Sequence, residues 1–314
     1  MRPALSRLRR LVGAYPELIA VSVAAVIGLS VQTPLAWLAD HQGINVLLAI
    51  LVFATALTVE PAALRRLGGS WRPLLACVVT GTTVLPALSW TASRLVAAGS
   101  LRNGVMAVGL APCEIASVAT TAMAGGETAL AAGTLVASTL ATIAVAGPIL
   151  TLEAGHADVH PGHIITNLAL VVALPLAVGL SLRAAKPPDP KAEAAATTTA
   201  TVTVAALVAL IAAEVHLSAS YLGVLAGLIL FLGVSALIGW LLGQRSRRPD
   251  AVAVLLTTSM RDFAIAASLA AAAFGSAAAA PLGLYGILVL IWGTATAGTL
   301  RHRAPRSEPA TPNA

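Results

Sequence analysis

Two short stretches carry groups that a hydrocarbon environment does not tolerate unpartnered. The first is Ala111-Pro112-Cys113-Glu114, with Ser117 one turn further on. The second is Thr257-Thr258-Ser259-Met260-Arg261-Asp262. Both interrupt long apolar runs. Pro112 has no N–H and fixes its own φ, so it breaks the hydrogen-bond ladder of a helix. An acid such as Glu114 or Asp262 at the centre of a membrane costs about 2.5 kcal/mol or more unless it is paired, hydrated or protonated. Arg261 is never deprotonated, so it needs a carboxylate or a bound anion at that depth. Two acids and one base could hold a small anion, carry a proton, or form a structural ion pair that locks two crossed helices. A planar guanidinium can grip a carboxylate through two parallel hydrogen bonds.

The neighbouring side chains narrow the chemistry. Ser117, Thr257, Thr258 and Ser259 lie at the ends of the interruptions, where hydroxyls can reach a ligand as well as their own backbone. Cys113 reads as a small buried residue, with a thiol ligand as the rival reading. His41, His156, His160 and His163 lie in or beside predicted outer loops without metal-ligand spacing. Glu127 follows Gly125-Gly126 and suits the positive end of the next helix. No phosphate loop, catalytic triad or nucleotide-binding pattern is present. The chain therefore reads as a non-enzyme with no cofactor and no metal.

The elements that hold these stretches are membrane helices. Hydrophobic residues are 58% of the 314, charged residues 10%, and mean hydropathy is +0.88. Soluble domains carry about 25% charged residues. The basic pI does not indicate a nucleic-acid partner, because Lys and Arg lie in short clusters between apolar runs, where they set topology. The partner is the lipid bilayer. Ten spans are predicted, at about 17–31, 44–59, 73–96, 101–123, 128–152, 164–182, 194–213, 221–242, 251–274 and 282–300. The basic N-terminal segment reads as the flank of a retained first span, since no small-x-small cleavage site follows it. With both termini cytoplasmic, all but Arg94, Arg102 and Arg261 of the 19 Lys and Arg fall on the cytoplasmic side.

The polar loop at 153–163 divides the spans into five and five, so the second half is inverted relative to the first. The segments are a cytoplasmic tail (1–16), a first five-helix repeat (17–152), an extracytoplasmic loop (153–163), a second repeat (164–300) and a cytoplasmic tail (301–314). The interruptions fall in the fourth span of each half. Breaks at matching positions of two halves point to a transport site at the midplane.

Residues 111–130, with Ser138-Thr139, resemble the bile acid:sodium symporter family, which has a Pro-Gly-Gly-x-x-Ser-Asn break, a Gly-acidic-x-Ala-Leu turn and a Ser-Thr pair. The resemblance continues through Ala56-Leu57-Thr58-Val59, Pro86, Met260 and Trp292. It implies an all-α membrane fold of ten helices in two inverted repeats. It also implies core and panel domains, two crossed broken helices, and alternating-access transport of organic anions. The sequence departs from the family pattern where sodium would bind. Val118 stands where the family has Asn, Thr257 where it has Glu, Arg261 where it has Gln, and Gly81 where the third span has Gln. Sodium needs several oxygen ligands, so sodium coupling is not expected.

The resulting expectation is a plasma-membrane secondary transporter for a small organic anion, a carboxylate or bile-acid-like solute, bound between the two breaks. Glu114 is expected to face Arg261 or Asp262, with protons in the coupling role. An arsenite-permease-like exporter using Cys113 is the alternative, since that related family shares the fold and keeps a cysteine at its first break. A non-transporting membrane scaffold is the third reading.

Overall fold

The computed structural model describes residues 16–59, 70–154, 161–186, 189–215 and 219–302. The predicted tails, apart from Pro16, Arg301 and His302, lie outside the described residues, as do Arg65, Arg66 and residues 155–160 of the predicted outer loop. Among the described residues the chain is all helical, without strands.

The helices are α1 (Pro16–Ser30), α2 (Gln32–Asp40), α3 (Gly43–Thr58), α4 (Trp71–Thr82), α5 (Val84–Ser93), α6 (Ser100–Ala107), α7 (Ala116–Met123) and α8 (Thr128–Ala154). They continue with α9 (Pro161–Leu168), α10 (Leu174–Ala185), α11 (Pro190–Ala213), α12 (Ser220–Gly243), α13 (Arg248–Ser259), α14 (Phe263–Phe274) and α15 (Ala280–His302). Among the described residues, six stretches are long and apolar enough to cross a membrane: Trp71–Ser93, Thr128–Leu152, Pro161–Ala185, Pro190–Ala213, Ser220–Gly243 and Ser276–Arg301. Several predicted spans are thus shorter or broken. The first bends by 99° after Ser30 and goes on as α2. The fourth is divided into α6, a 3₁₀ turn and α7. Each of these eight-residue helices is about 12 Å long, well short of the roughly 30 Å hydrocarbon core. The ninth is divided into α13 and α14.

Local chemistry explains the interruptions. Ala111 precedes Pro112 and is extended (φ −66°, ψ 153°), as the clash with the proline ring requires. Pro175 lacks the N–H that would serve Val171, and the five residues before α10, Ala169–Ala173, form a π turn.

Two helix groups form the bundle. α11 packs chiefly on α1 and α3, and α3 also on α10. α12 and α13 pack on one another, and α4 packs against α8. Small residues bring helices into close contact, as is usual in membranes. A Cβ on Gly28 of α1 would run into the carbonyl of Ala209 of α11.

Candidate functional site

The two interruptions meet. Residues 112–114 and 260–262 lie antiparallel, with Cys113 paired to Arg261. Glu114 N donates to Met260 O (2.8 Å), and Asp262 N donates to Pro112 O (2.9 Å). The outward N–H groups of this small ribbon find hydroxyls on neighbouring helices. Cys113 N donates to Ser138 Oγ of α8 (3.2 Å), and Arg261 N donates to Tyr285 Oη of α15 (3.2 Å). Each break thus supplies the backbone partners that the other lacks, the condition for non-helical chain at membrane depth.

Asp262 caps α14. Its Oδ1 accepts from Ala264 N (2.9 Å) and Ile265 N (2.8 Å), while Oδ2 is buried without a partner. Glu114 is 5% exposed, and its Oε2 accepts from Phe263 N at the start of the same helix (3.3 Å). Both acids therefore sit at the positive end of α14, which favours negative charge.

The structural ion pair between Arg261 and an acid, one of the readings of these residues, is absent. The ion pairs among the described residues are Arg183–Glu193 and Arg247–Asp250. Arg261 is only 2% exposed, and its Nη2 donates to the carbonyls of Ala111 and, at 3.5 Å, Gly81; Nε has no partner. These carbonyls are available because helix geometry ends nearby, at Leu110 and at Thr82. Gly81 makes room for the guanidinium: a Cβ there would lie 3.1 Å from Nη1 and 3.2 Å from Nη2.

The hydroxyls at the second break are already engaged. Thr257 Oγ1 donates to Ala253 O (2.8 Å), and Thr257 and Thr258 both approach Cys77 Sγ (3.8 and 3.7 Å). Ser259 Oγ donates to Leu255 O (2.8 Å) and accepts from Trp292 Nε1 (3.0 Å). Met260 is fully buried against Gly293. At the first break, Ser117 Oγ is buried beside the Cys113 thiol. Cys113 Sγ accepts a weak bond from Ser138 Oγ (3.6 Å).

Beside the crossing lies a cavity of about 580 Å³, walled by α1, α3 and α11 on one side and by α7, α8, α14 and α15 on the other. Its wall is apolar apart from several threonines, among them Thr55, Thr58, Thr197 and Thr294. Glu114 is its sole charged residue among the described ones. Of the ten residues expected to form the site, only Glu114 reaches this wall. Pro112, Cys113, Ser117, Thr257, Thr258, Ser259, Met260, Arg261 and Asp262 lie outside it. The arsenite-exporter reading accordingly has no thiol on the cavity. Sequence reasoning missed Gly81, Ala111 O and Tyr285 as partners of Arg261. A lone tyrosine in the uncharged run of α15 was the one available signal, since a buried phenol usually has a hydrogen-bond partner.

Residues 45–222, more than half of the chain, match the Sodium Bile acid symporter family. The chain belongs to this family. The matched stretch includes the first break and ends before the second. No curated protein matches the chain. Family members are transporters, and this protein is accordingly a multi-pass membrane protein of the transporter class.

Proposed function

We propose that this symporter-family protein moves an amphipathic organic anion, a carboxylate with an apolar body, across the plasma membrane by alternating access and in company with a proton. The observation that carries the reading is Glu114, the single charged side chain on the wall of a large apolar cavity at the crossing of two broken helices. An anion entering this cavity meets a like charge. At about 5 Å and an effective dielectric constant of about 20, that repulsion is about 3 kcal/mol, or roughly a hundredfold in affinity. A proton on Glu114 removes it, so proton and anion bind together and leave together.

Arg261 has a different part from the expected one. With its guanidinium on backbone carbonyls, it serves as a fixed cation behind the crossing rather than as the substrate's grip. A resident positive charge there supports transport independent of sodium, as do Val118 and Thr257 in place of amide and carboxylate. In this reading the ten predicted spans form two inverted five-helix repeats, with both termini cytoplasmic. The group of α1, α3, α10 and α11 is the panel against which the crossing moves.

The same observation favours one second reading. With Glu114 ionised, the wall suits an amphipathic cation exchanged for a proton. A thermal-shift screen of the purified protein separates the two. The panel contains amphipathic carboxylates, matched amines and arsenite, each in sodium and in choline buffer. Stabilisation by carboxylates, equal in both buffers, is expected. Stabilisation by amines alone selects the second reading, and a sodium requirement overturns the proposed coupling.

A further inference from the structure

Away from the cavity, three polar side chains from three helices close a hydrogen-bonded ring. Asn45 is the third residue of α3, Asn167 lies near the end of α9 just before the π turn, and Ser268 is in the middle of α14. Asn45 Nδ2 donates to Asn167 Oδ1 (3.3 Å), Asn167 Nδ2 donates to Ser268 Oγ (3.5 Å), and Ser268 Oγ donates to Asn45 Oδ1 (2.6 Å). Within the ring each member gives one bond and takes one, and Asn45 Nδ2 gives a further bond to Gln42 Oε1. The two amides are locked to one another, because turning over either one alone would set like groups, oxygen against oxygen or nitrogen against nitrogen, across the Asn45–Asn167 contact. Ser268 is fully buried, as are Ile44, Leu48, Ile164 and Leu168 beside the ring members on the same helices.

The ring crosses the seam between the two helix groups. α3 belongs with α1, α10 and α11, whereas α14 begins directly after the second break. The cavity lies in the same seam but further along α3, its wall there running from Leu51, six residues and about 9 Å beyond Asn45, to Thr58, thirteen residues and about 20 Å beyond it. On α14, the wall residue Phe263 is one and a half turns before Ser268.

We propose that the Asn45–Asn167–Ser268 ring is a latch that holds the seam shut on one side of the membrane while the cavity stands open on the other. The inference rests on the alternating-access reading. Opening the seam at the start of α3 must part Asn45 from Ser268. The freed amide and hydroxyl groups are then met by entering water, which replaces protein hydrogen bonds at modest net cost. Such a closure is reversible, and it closes in one register only because the donors and acceptors alternate around it.

Hydrogen–deuterium exchange of the full-length protein in proteoliposomes tests this without any solute. Wild type is compared with Ser268→Ala and Asn45→Ala. Either variant should speed exchange at the start of α3 and in α14 beyond Ser268 by about two- to tenfold, the population shift that one lost hydrogen bond gives. At the same time, exchange should slow at residues 55–59 and 116–123, where the cavity closes. Opposite signs at the two ends are the mark of a latch. Exchange that rises at both ends, or does not change, overturns the proposal. Asn167→Ser provides a third, milder variant should either of the others fail to fold. A reciprocal exchange pattern alongside a negative carboxylate screen would uphold the latch and overturn the anion reading.

Discussion

Gly81→Ala probes the packing that holds Arg261 in place. The new methyl carbon would lie 3.1 and 3.2 Å from the two terminal nitrogens of the guanidinium, several tenths of an ångström inside ordinary contact. The guanidinium has little freedom to retreat, because Nη2 is bonded to the Ala111 and Gly81 carbonyls and the side chain is 2% exposed. Overpacking of this kind costs about 1–3 kcal/mol. Replacing glycine near a helix end returns up to about 1 kcal/mol, which leaves a net loss of about 0–2 kcal/mol. In an Arg261→Ala background the clash is gone, and only the favourable part remains. The same substitution should then stabilise the protein by up to about 1 kcal/mol. Unfolding midpoints of wild type, both single variants and the double variant, measured in one detergent, give the coupling directly. A Gly81→Ala effect of the same sign and size in both backgrounds would refute the packing argument.

Two further substitutions test the scaffold of the crossing. Asp262→Ala removes the cap from α14 and should cost about 1 kcal/mol, whereas Asp262→Asn, an equally good cap, should be nearly neutral; thermal unfolding of the two variants reads the difference. Tyr285→Phe leaves the buried Arg261 N–H without its acceptor and should cost about 1–3 kcal/mol. The edge contact of that ring with Phe231 survives, so a midpoint equal to wild type would mean that the hydroxyl contributes nothing.

The two breaks were legible because each combines a ladder fault with charge inside an apolar run. Pro112 removes an N–H, and Met260-Arg261-Asp262 places two ions where no polar residue is otherwise needed. The partners of Arg261 were not legible. Counting side-chain charges suggests an ion pair, but the acceptors are main-chain carbonyls of Gly81 and Ala111, which the broken ends make available and which no residue type advertises. Gly81 carries meaning only through its distance to the guanidinium. The bend after Ser30 was hidden for a related reason. Gln32-Thr33-Pro34 reads as the end of a span, whereas Gln32 Nε2 bonds back to Val215 O (3.1 Å) and the chain goes on as α2. The ring of Asn45, Asn167 and Ser268 joins residues more than a hundred positions apart, and three common polar residues give no local pattern to find.

The pH dependence of anion binding in wild type and in Glu114→Gln is the most direct test of the role given to Glu114. Titration of a carboxylate ligand, selected from the screen, into purified protein at several pH values gives both profiles. In wild type, affinity should rise as pH falls, because protonation removes the charge that repels the ligand, by up to about a hundredfold between the ionised and neutral forms. Glu114→Gln should bind at the low-pH strength throughout, with a flat profile. Identical profiles for the two proteins would contradict proton coupling through Glu114.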